Sequence, residues 1–298
     1  MIRNWRYDDF ENAGEHGNFA CNVKKWAEHG QTSFDLCFAM VEGGEIVGGI
    51  AYLANESEPA EIVDFTLSHN SFHLGAELIT RSMESLSLGS ACYHLYNDGE
   101  FYDRYRQCFI EAGFITAQEK LSYRFTGELP GCDDSGIVYR TLAEAGEEAF
   151  IEAVAIVTRQ TLDRADFAET AIHGETEAAG DLVAALKDID HQPGIWALAY
   201  RGDRFIGLVI PSNFGDAYDG KLGAINYIGV PPDERGKGYV DILLAKGTRL
   251  LVSQGVATVI ADIDVLNYPM KNALERCGYV IDCEEAVLEK SPVNVEPC

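Results

Sequence analysis

Basic residues are scarce in this chain of 298 residues. Lys plus Arg number 23 against 48 for Asp plus Glu, a formal net charge of −25. Binding a polyanion needs clustered Lys and Arg, so nucleic acid is excluded as the main partner. An acidic surface instead gathers cations near a cleft. Long apolar runs are also missing. No stretch of about 18 apolar residues occurs, so no segment is expected to span a membrane. The eight cysteines are scattered without pairs at metal-ligand spacing, and no metal is expected. Met1 to Asp8 lacks the apolar core of an export signal, which together with unpaired thiols predicts a cytoplasmic protein. What is present is 47% hydrophobic residues, enough for a sizeable core in one large or two ordinary domains.

The most informative stretch is Ile225 to Val240. An apolar strand ends in Val230-Pro231-Pro232, a loop Asp233-Glu234-Arg235-Gly236-Lys237-Gly238 follows, and a helix opens at Tyr239-Val240-Asp241. A loop feeding a helix N-terminus is an anion site, because free N–H groups and the positive end of the dipole converge there. Gly236 and Gly238 carry no Cβ, so a phosphate can come close to the backbone.

Around it the pattern predicts a strand over Ile137–Leu142, a helix from Gly146 to about Arg164, and a second helical stretch from Ala178 to Lys187. A glycine-turned hairpin is expected over Ile195–Ile210, and a strand over Ala224–Val230. The helix from Gly238 to Gln254 carries Val240, Leu243, Leu244, Leu250 and Leu251 on one stripe. Thr258–Val265 reads as a strand, and Asn267-Tyr268-Pro269 starts a short helix that ends at Gly278. Two final strands are expected after Tyr279, with a turn near Glu284-Glu285. The first half repeats this order more faintly, with a hairpin over Phe38–Tyr52, a strand over Glu61–Leu67, a helix from Gly75, and a strand over Ala91–Tyr96. Cys108 to Phe114 echoes Ala273 to Tyr279. A duplication with domains 1–130 and 137–298 is expected, joined by the polar, Gly- and Pro-containing stretch Gly127–Gly136.

Val230-Pro231 followed by Arg235-Gly236-Lys237-Gly238 resembles the acetyl-CoA pyrophosphate loop, Arg/Gln-x-x-Gly-x-Gly/Ala, of the GNAT superfamily of N-acetyltransferases. The last position departs from that pattern, being Val240. The element order resembles the same superfamily. The fold implied is α/β (α+β): two tandem GNAT-like domains, each a mixed, mostly antiparallel twisted sheet flanked by helices. The resemblance implies acetyl-CoA as cosubstrate in the second domain. The pantetheine would pair with Ile228, Gly229 and Val230, and the Val230 N–H would donate to the thioester carbonyl. Backbone groups of Arg235, Gly236, Lys237, Gly238, Tyr239 and Val240 would hold the pyrophosphate, and Asn267 would meet the pantetheine arm. In the first domain Asn70-Ser71-Phe72-His73-Leu74-Gly75 stands where the loop should be, so that copy is expected to be a degenerate scaffold.

The implied reaction is direct attack of a primary amine on the thioester. An amine with a pKa near ~10 is mostly ammonium at neutral pH and must lose a proton first. Asp262 and Asp264 share one face of their strand, and Asp264 is the expected base. Asn226 and Tyr227 on the neighbouring strand are weaker candidates, and the acids of Asp163–Glu169 are placed to hold a cationic substrate on a loop. The tyrosine that usually serves GNAT enzymes as general acid is replaced by Leu274, which leaves Tyr268 as the substitute, with Tyr239 as an alternative. The expected acceptor is a small cationic amine. Tandem relatives such as mycothiol synthase and antibiotic self-resistance acetyltransferases make an antibiotic one candidate. A protein or peptide N-acetyltransferase and a non-catalytic acyl-CoA-binding module are the rivals.

Overall fold

The computed structural model describes all residues except 12, 55–58, 98, 128–130, 132, 190–192, 216–220 and 292–298. The expected linker Gly127–Gly136 therefore lies partly outside the described residues. The chain forms two compact units, Met1–Glu119 with the segment from Glu285 onward, and Lys120–Glu284.

Unit 1 contains β1 (Ile2–Asn4), α1 (Gly17–Glu28), β2 (Cys37–Glu42), β3 (Glu45–Tyr52), β4 (Ala60–Leu67), α2 (Gly75–Ser85), β5 (Ala91–Tyr96), α3 (Tyr102–Glu111) and the first part of β6 (Ile115–Phe125). Strand alternation sorts the β2–β3 hairpin onto two faces. Phe38, Met40, Ile50 and Tyr52 join one apolar cluster with α2 and α3, while Cys37, Ala39 and Ala51 join Trp5, Phe19 and Val23 in another.

Unit 2 repeats the order with three more helices among the described residues. It holds β7 (Ile137–Thr141), α4 (Leu142–Ala145), α5 (Glu147–Val157), α6 (Arg164–His173), α7 (Glu175–Ile189), β8 (Ala197–Arg201), β9 (Arg204–Asn213), β10 (Leu222–Gly229), α8 (Tyr239–Ser253), β11 (Thr258–Asp264), α9 (Tyr268–Arg276) and the first part of β12 (Val280–Lys290). Its core gathers Phe150, Val154 and Val157 of α5, Leu243, Leu244 and Leu251 of α8, and the inner faces of β8 to β11.

The helix expected from Gly146 to Arg164 is broken after Val157. The Thr158 hydroxyl donates back to the carbonyls of Val154 and Ala155, Gln160 takes a positive φ of 55°, and Asp163 caps a new helix. The Asp163 carboxylate accepts from the amides of Ala165 and Asp166, so the segment read as a loop over Asp163–Glu169 is the first half of α6.

The chain's end also differs from expectation. β12 runs unbroken from Val280 to Lys290, with no turn at Glu284-Glu285. From Glu285 to Lys290 it pairs with β5 in unit 1. The strand that a hairpin would have laid against β11 is supplied instead by Lys120–Phe125 of β6, antiparallel to Asp264–Val259. Each unit is completed by the last strand of the other unit's sequence. Tyr123, Phe125 and Tyr279 make this junction an apolar one in unit 2, while the Tyr279 hydroxyl meets Thr248 of α8 at 2.6 Å.

Candidate acyl-CoA site

β10 and β11 are the parallel neighbours of unit 2, and they pair only at Leu222–Ala224 with Thr258–Ile260. Beyond Ala224 each strand keeps its other partner, β10 with β9 as far as Gly229 and β11 with β6 as far as Asp264. The two strands therefore diverge, helped by an irregularity between Ile225 and Tyr227. The edge of β10 that faces the gap includes Ile228 and Gly229, where an extended ligand arm can be added like a strand.

At the mouth of this gap the chain turns through Pro231 and a short 3-10 turn into the loop. Gly236 and Gly238 hold φ of 77° and 80°, values that side chains rarely adopt, and a Cβ on either would project into open space. Gly238 caps α8 with no side-chain hydrogen bond, so the first amides of a 15-residue helix point outward from the cap. That geometry fits a pyrophosphate. Val240 is the second helical residue and packs partly against the core, so its bulk lies beside the helix start.

The loop's basic side chains are exposed but hydrogen-bonded to neighbouring protein groups. Arg235 donates to the carbonyls of Val230 (3.1 Å), Gln160 (2.9 Å), Val157 (2.9 Å) and Arg159 (2.7 Å), tying the end of α5 to the end of β10. Its amide is also engaged, with Pro232 O at 3.3 Å. Gly229 makes the same junction possible, since a Cβ there would meet Val157 Cγ2 at 2.5 Å. Lys237 Nζ donates to Asp233 O and to Glu234 Oε2, and Arg204 reaches the other Glu234 oxygen. Lys237 and Arg204 hold the Glu234 carboxyl below the ordinary carboxylate range, with Lys237 the stronger cause. What the loop leaves to offer an anion is its backbone amides from Gly236 onward and the helix dipole. Arg235 and Glu234 are braces, a role that the sequence distance of Arg235 from Val157, Arg159 and Gln160 and of Glu234 from Arg204 concealed.

The candidate chemical groups sort clearly. Asp264 is fully buried, and its carboxylate accepts from Arg164 Nε at 2.8 Å, from the Arg164 amide and from the Leu266 amide at 2.8 Å. The expected base is thus an anchor for the start of α6. Tyr268 is 61% exposed at the first position of α9, while Leu274 is wholly buried in the core and offers no proton. Asn267 caps α9 by accepting from the Met270 amide at 3.3 Å. Tyr239 is buried at the start of α8, and the Cys277 thiol packs against Asp241 O. Two residues beyond Arg164, Asp166 accepts from the Tyr227 hydroxyl of β10 at 2.9 Å. α6 thus reaches both diverging strands, β11 through Arg164 and β10 through Asp166.

Residues 160–279 match the Acetyltransferase (GNAT) family. The match is confined to that stretch of the second half, and there the chain resembles a GNAT-family domain. Curated acetyltransferases resemble parts of it. One from Yersinia pestis is 29% identical over 69 residues, covering 23% of this chain and 45% of that protein, and one from Pectobacterium atrosepticum is 26% identical over 98 residues, covering 33% and 66%. The chain thus spans about half the length of the Yersinia relative. Two solved structures share the GNAT fold across almost the whole chain. A GCN5-related N-acetyltransferase from Sphaerobacter thermophilus has a TM-score of 0.64 at 16% identity, covering 97% of this chain and 95% of that one. A tandem GNAT protein from the clavulanic acid biosynthesis pathway has a TM-score of 0.56 at 12% identity, covering 99% of each chain.

Unit 1 has the same GNAT architecture with a different opening. β4 and β5 pair in parallel only at Ala60–Ile62 with Ala91–Tyr93. The segment before α2 is a 3-10 turn, Phe72–Leu74, that runs straight into Gly75, with no residue at positive φ. A Cβ on Gly75 would meet Cys108 Sγ at 2.4 Å. The end of β4 is covered from α3, where the Tyr105 hydroxyl takes the Leu67 amide and packs with Phe72 and Phe101. His69 and His73 stand four residues apart, a spacing that suits a metal. Among the described residues, however, no three His, Cys, Asp or Glu side chains group as ligands, and His69 instead packs against Phe72 and Phe101. No helix among the described residues is long and apolar enough to cross a membrane.

Proposed function

We propose that the protein is an acetyl-CoA-dependent N-acetyltransferase that binds its cosubstrate in unit 2. The observation that carries the reading is the open, positive-φ Gly236–Gly238 loop capping α8 where β10 and β11 part. Amides of Gly236, Lys237, Gly238, Tyr239 and Val240 take the pyrophosphate, and Ile228, Gly229 and Val230 pair with the pantetheine. Asn267, held in place by its cap to α9, lies beside the arm. The Val230 N–H stabilises the oxyanion that forms on the thioester carbonyl. A neutral amine attacks that carbon, the C–N bond forms, and the C–S bond breaks to release thiolate. Tyr268, exposed beside Asn267, returns a proton to the sulfur.

The acceptor is a primary amine on a small cationic molecule, a reading supported by the chain's net charge of −25. The fold likeness to a tandem GNAT protein of antibiotic biosynthesis keeps an amine-bearing antibiotic among the candidates. We assign residues 1–130 to a degenerate copy and 137–298 to the active one. Titration calorimetry is expected to give one acetyl-CoA per chain, because the turn before α2 in unit 1 holds no residue at positive φ and Tyr105 already holds the Leu67 amide. Two sites per chain would refute that assignment, and none would refute the function. The burial of Leu274 favours one second reading, a non-catalytic acyl-CoA-binding module. Thiol release from acetyl-CoA in the presence of spermidine, glucosamine or a short peptide separates the two, and Tyr268→Phe is expected to lower turnover more than cofactor binding.

A further inference from the structure

We infer that Asp166, held by Tyr227, is the base that deprotonates the acceptor amine. This inference rests on the proposed acetyl transfer in unit 2. The geometry supplies three reasons. First, Asp166 sits where α6 bridges the gap between β10 and β11, bonded to Tyr227 of β10, two residues before Gly229 and three before Val230. Second, α6 is fixed there independently, because Arg164 is bound to the buried Asp264 and Asp163 caps the helix. Third, Asp264, the carboxylate expected as base, is committed to Arg164 and to the Leu266 amide.

The surroundings of Asp166 tune it for the task. Burial, with the Asp163 charge adding to it, pushes its carboxyl up to about 6, against opposing hydrogen bonds from Tyr227 and Thr161. A base near the working pH combines correct ionisation with proton affinity. Tyr227 stays protonated, because burial and the neighbouring Asp166 and Asp163 raise its pKa well above the ordinary value, with Arg235 opposing. It acts as a fixed donor that positions one carboxylate oxygen. The other charged group of this helix start, Arg164, is turned to Asp264.

The step balances simply. Asp166 takes one proton from the ammonium and passes it to water. The free amine attacks the thioester carbonyl, thiolate leaves and takes a proton from Tyr268, and the second nitrogen proton restores the Tyr268 hydroxyl through water. The net products are acetamide, free CoA thiol and one proton.

The test uses the full chain in two arms. In the first, carbon-13 NMR follows the Asp166 carboxyl with acetyl-CoA bound and needs no acceptor. The expected midpoint lies near 6, and Tyr227→Phe moves it upward because a hydrogen bond to the charged form is lost. A midpoint in the ordinary range near ~4 overturns the inference. In the second arm, Asp166→Asn lowers kcat/KM about 100-fold for whichever of spermidine, glucosamine or a short peptide turns over fastest. It abolishes the fall in rate below about pH 6 and leaves acetyl-CoA affinity unchanged. Retention of rate and pH profile in that variant overturns the inference, whereas loss of acetyl-CoA binding by the wild type would overturn the underlying function instead.

Discussion

Replacing Gly238 by valine is expected to weaken acetyl-CoA binding by about 100-fold in titration calorimetry while the circular dichroism spectrum stays unchanged. The argument has two parts. Gly238 holds φ 80° and ψ 5°, where a side chain costs roughly 1–2 kcal/mol and a β-branched one the upper end. Relief of that strain turns the first amides of α8 away from their common focus, and each lost hydrogen bond to a charged group costs about 1.5–3 kcal/mol. Together these exceed about 2.7 kcal/mol, which corresponds to roughly 100-fold. A Cβ at this position meets no protein atom within 4 Å, so steric disruption of the fold is not the cause of any loss. Gly238→Ala should fall between wild type and valine. Unaltered affinity in the valine variant would place the pyrophosphate away from this loop and remove the main support for the function.

The largest effect on stability is expected from Arg164→Ala. Asp264 is wholly buried and Arg164 is its cation, with the guanidinium 36% exposed. Removing one partner of a buried pair costs about 3–5 kcal/mol, because a charge is left in a low-dielectric site. Water at the exposed guanidinium position softens the loss, so the lower end, about 3 kcal/mol, is expected. For a unit of this size that corresponds to a fall of about 6–12 °C in the unfolding midpoint, measured by calorimetric scanning. Asp264→Asn removes the buried charge and should cost less. The double variant should resemble Asp264→Asn alone, since the two residues act as one unit. Additive losses would show that the pair is not what holds α6 to β11.

Local chemistry made much of this fold readable. The glycine-turned hairpins, the amphipathic stripe of α8, the Pro269 start of α9 and its end near Gly278 all lie within a few residues of their expected places. So did the loop, because Gly236 and Gly238 announce positive φ. What stayed hidden depends on distant partners. Asp264 shares a strand face with an equally plausible acid, and only Arg164, a hundred residues earlier, turns it into an anchor. Arg235 looks like a phosphate ligand beside two glycines, yet the carbonyls it satisfies belong to the end of a helix about 75 residues upstream. Asp166 was visible only as one acid among several, because its environment comes from Tyr227 on another element. The break after Val157 had local markers in Thr158 and Asp163, but the continuing apolar periodicity outweighed them.

The traded strand ends make each half of the chain necessary to the other, although the turn before α2 has no positive-φ loop. A shortened gene beginning near residue 137 would encode every proposed acyl-CoA contact and still leave β11 without Lys120–Phe125 along one side. That side would be a bare row of peptide groups, open to pairing with any passing chain. Deletion of the second half would strip β5 of Glu285–Lys290 in the same way. Neither half of the chain is therefore dispensable to the sheet of the other, whatever chemistry each retains.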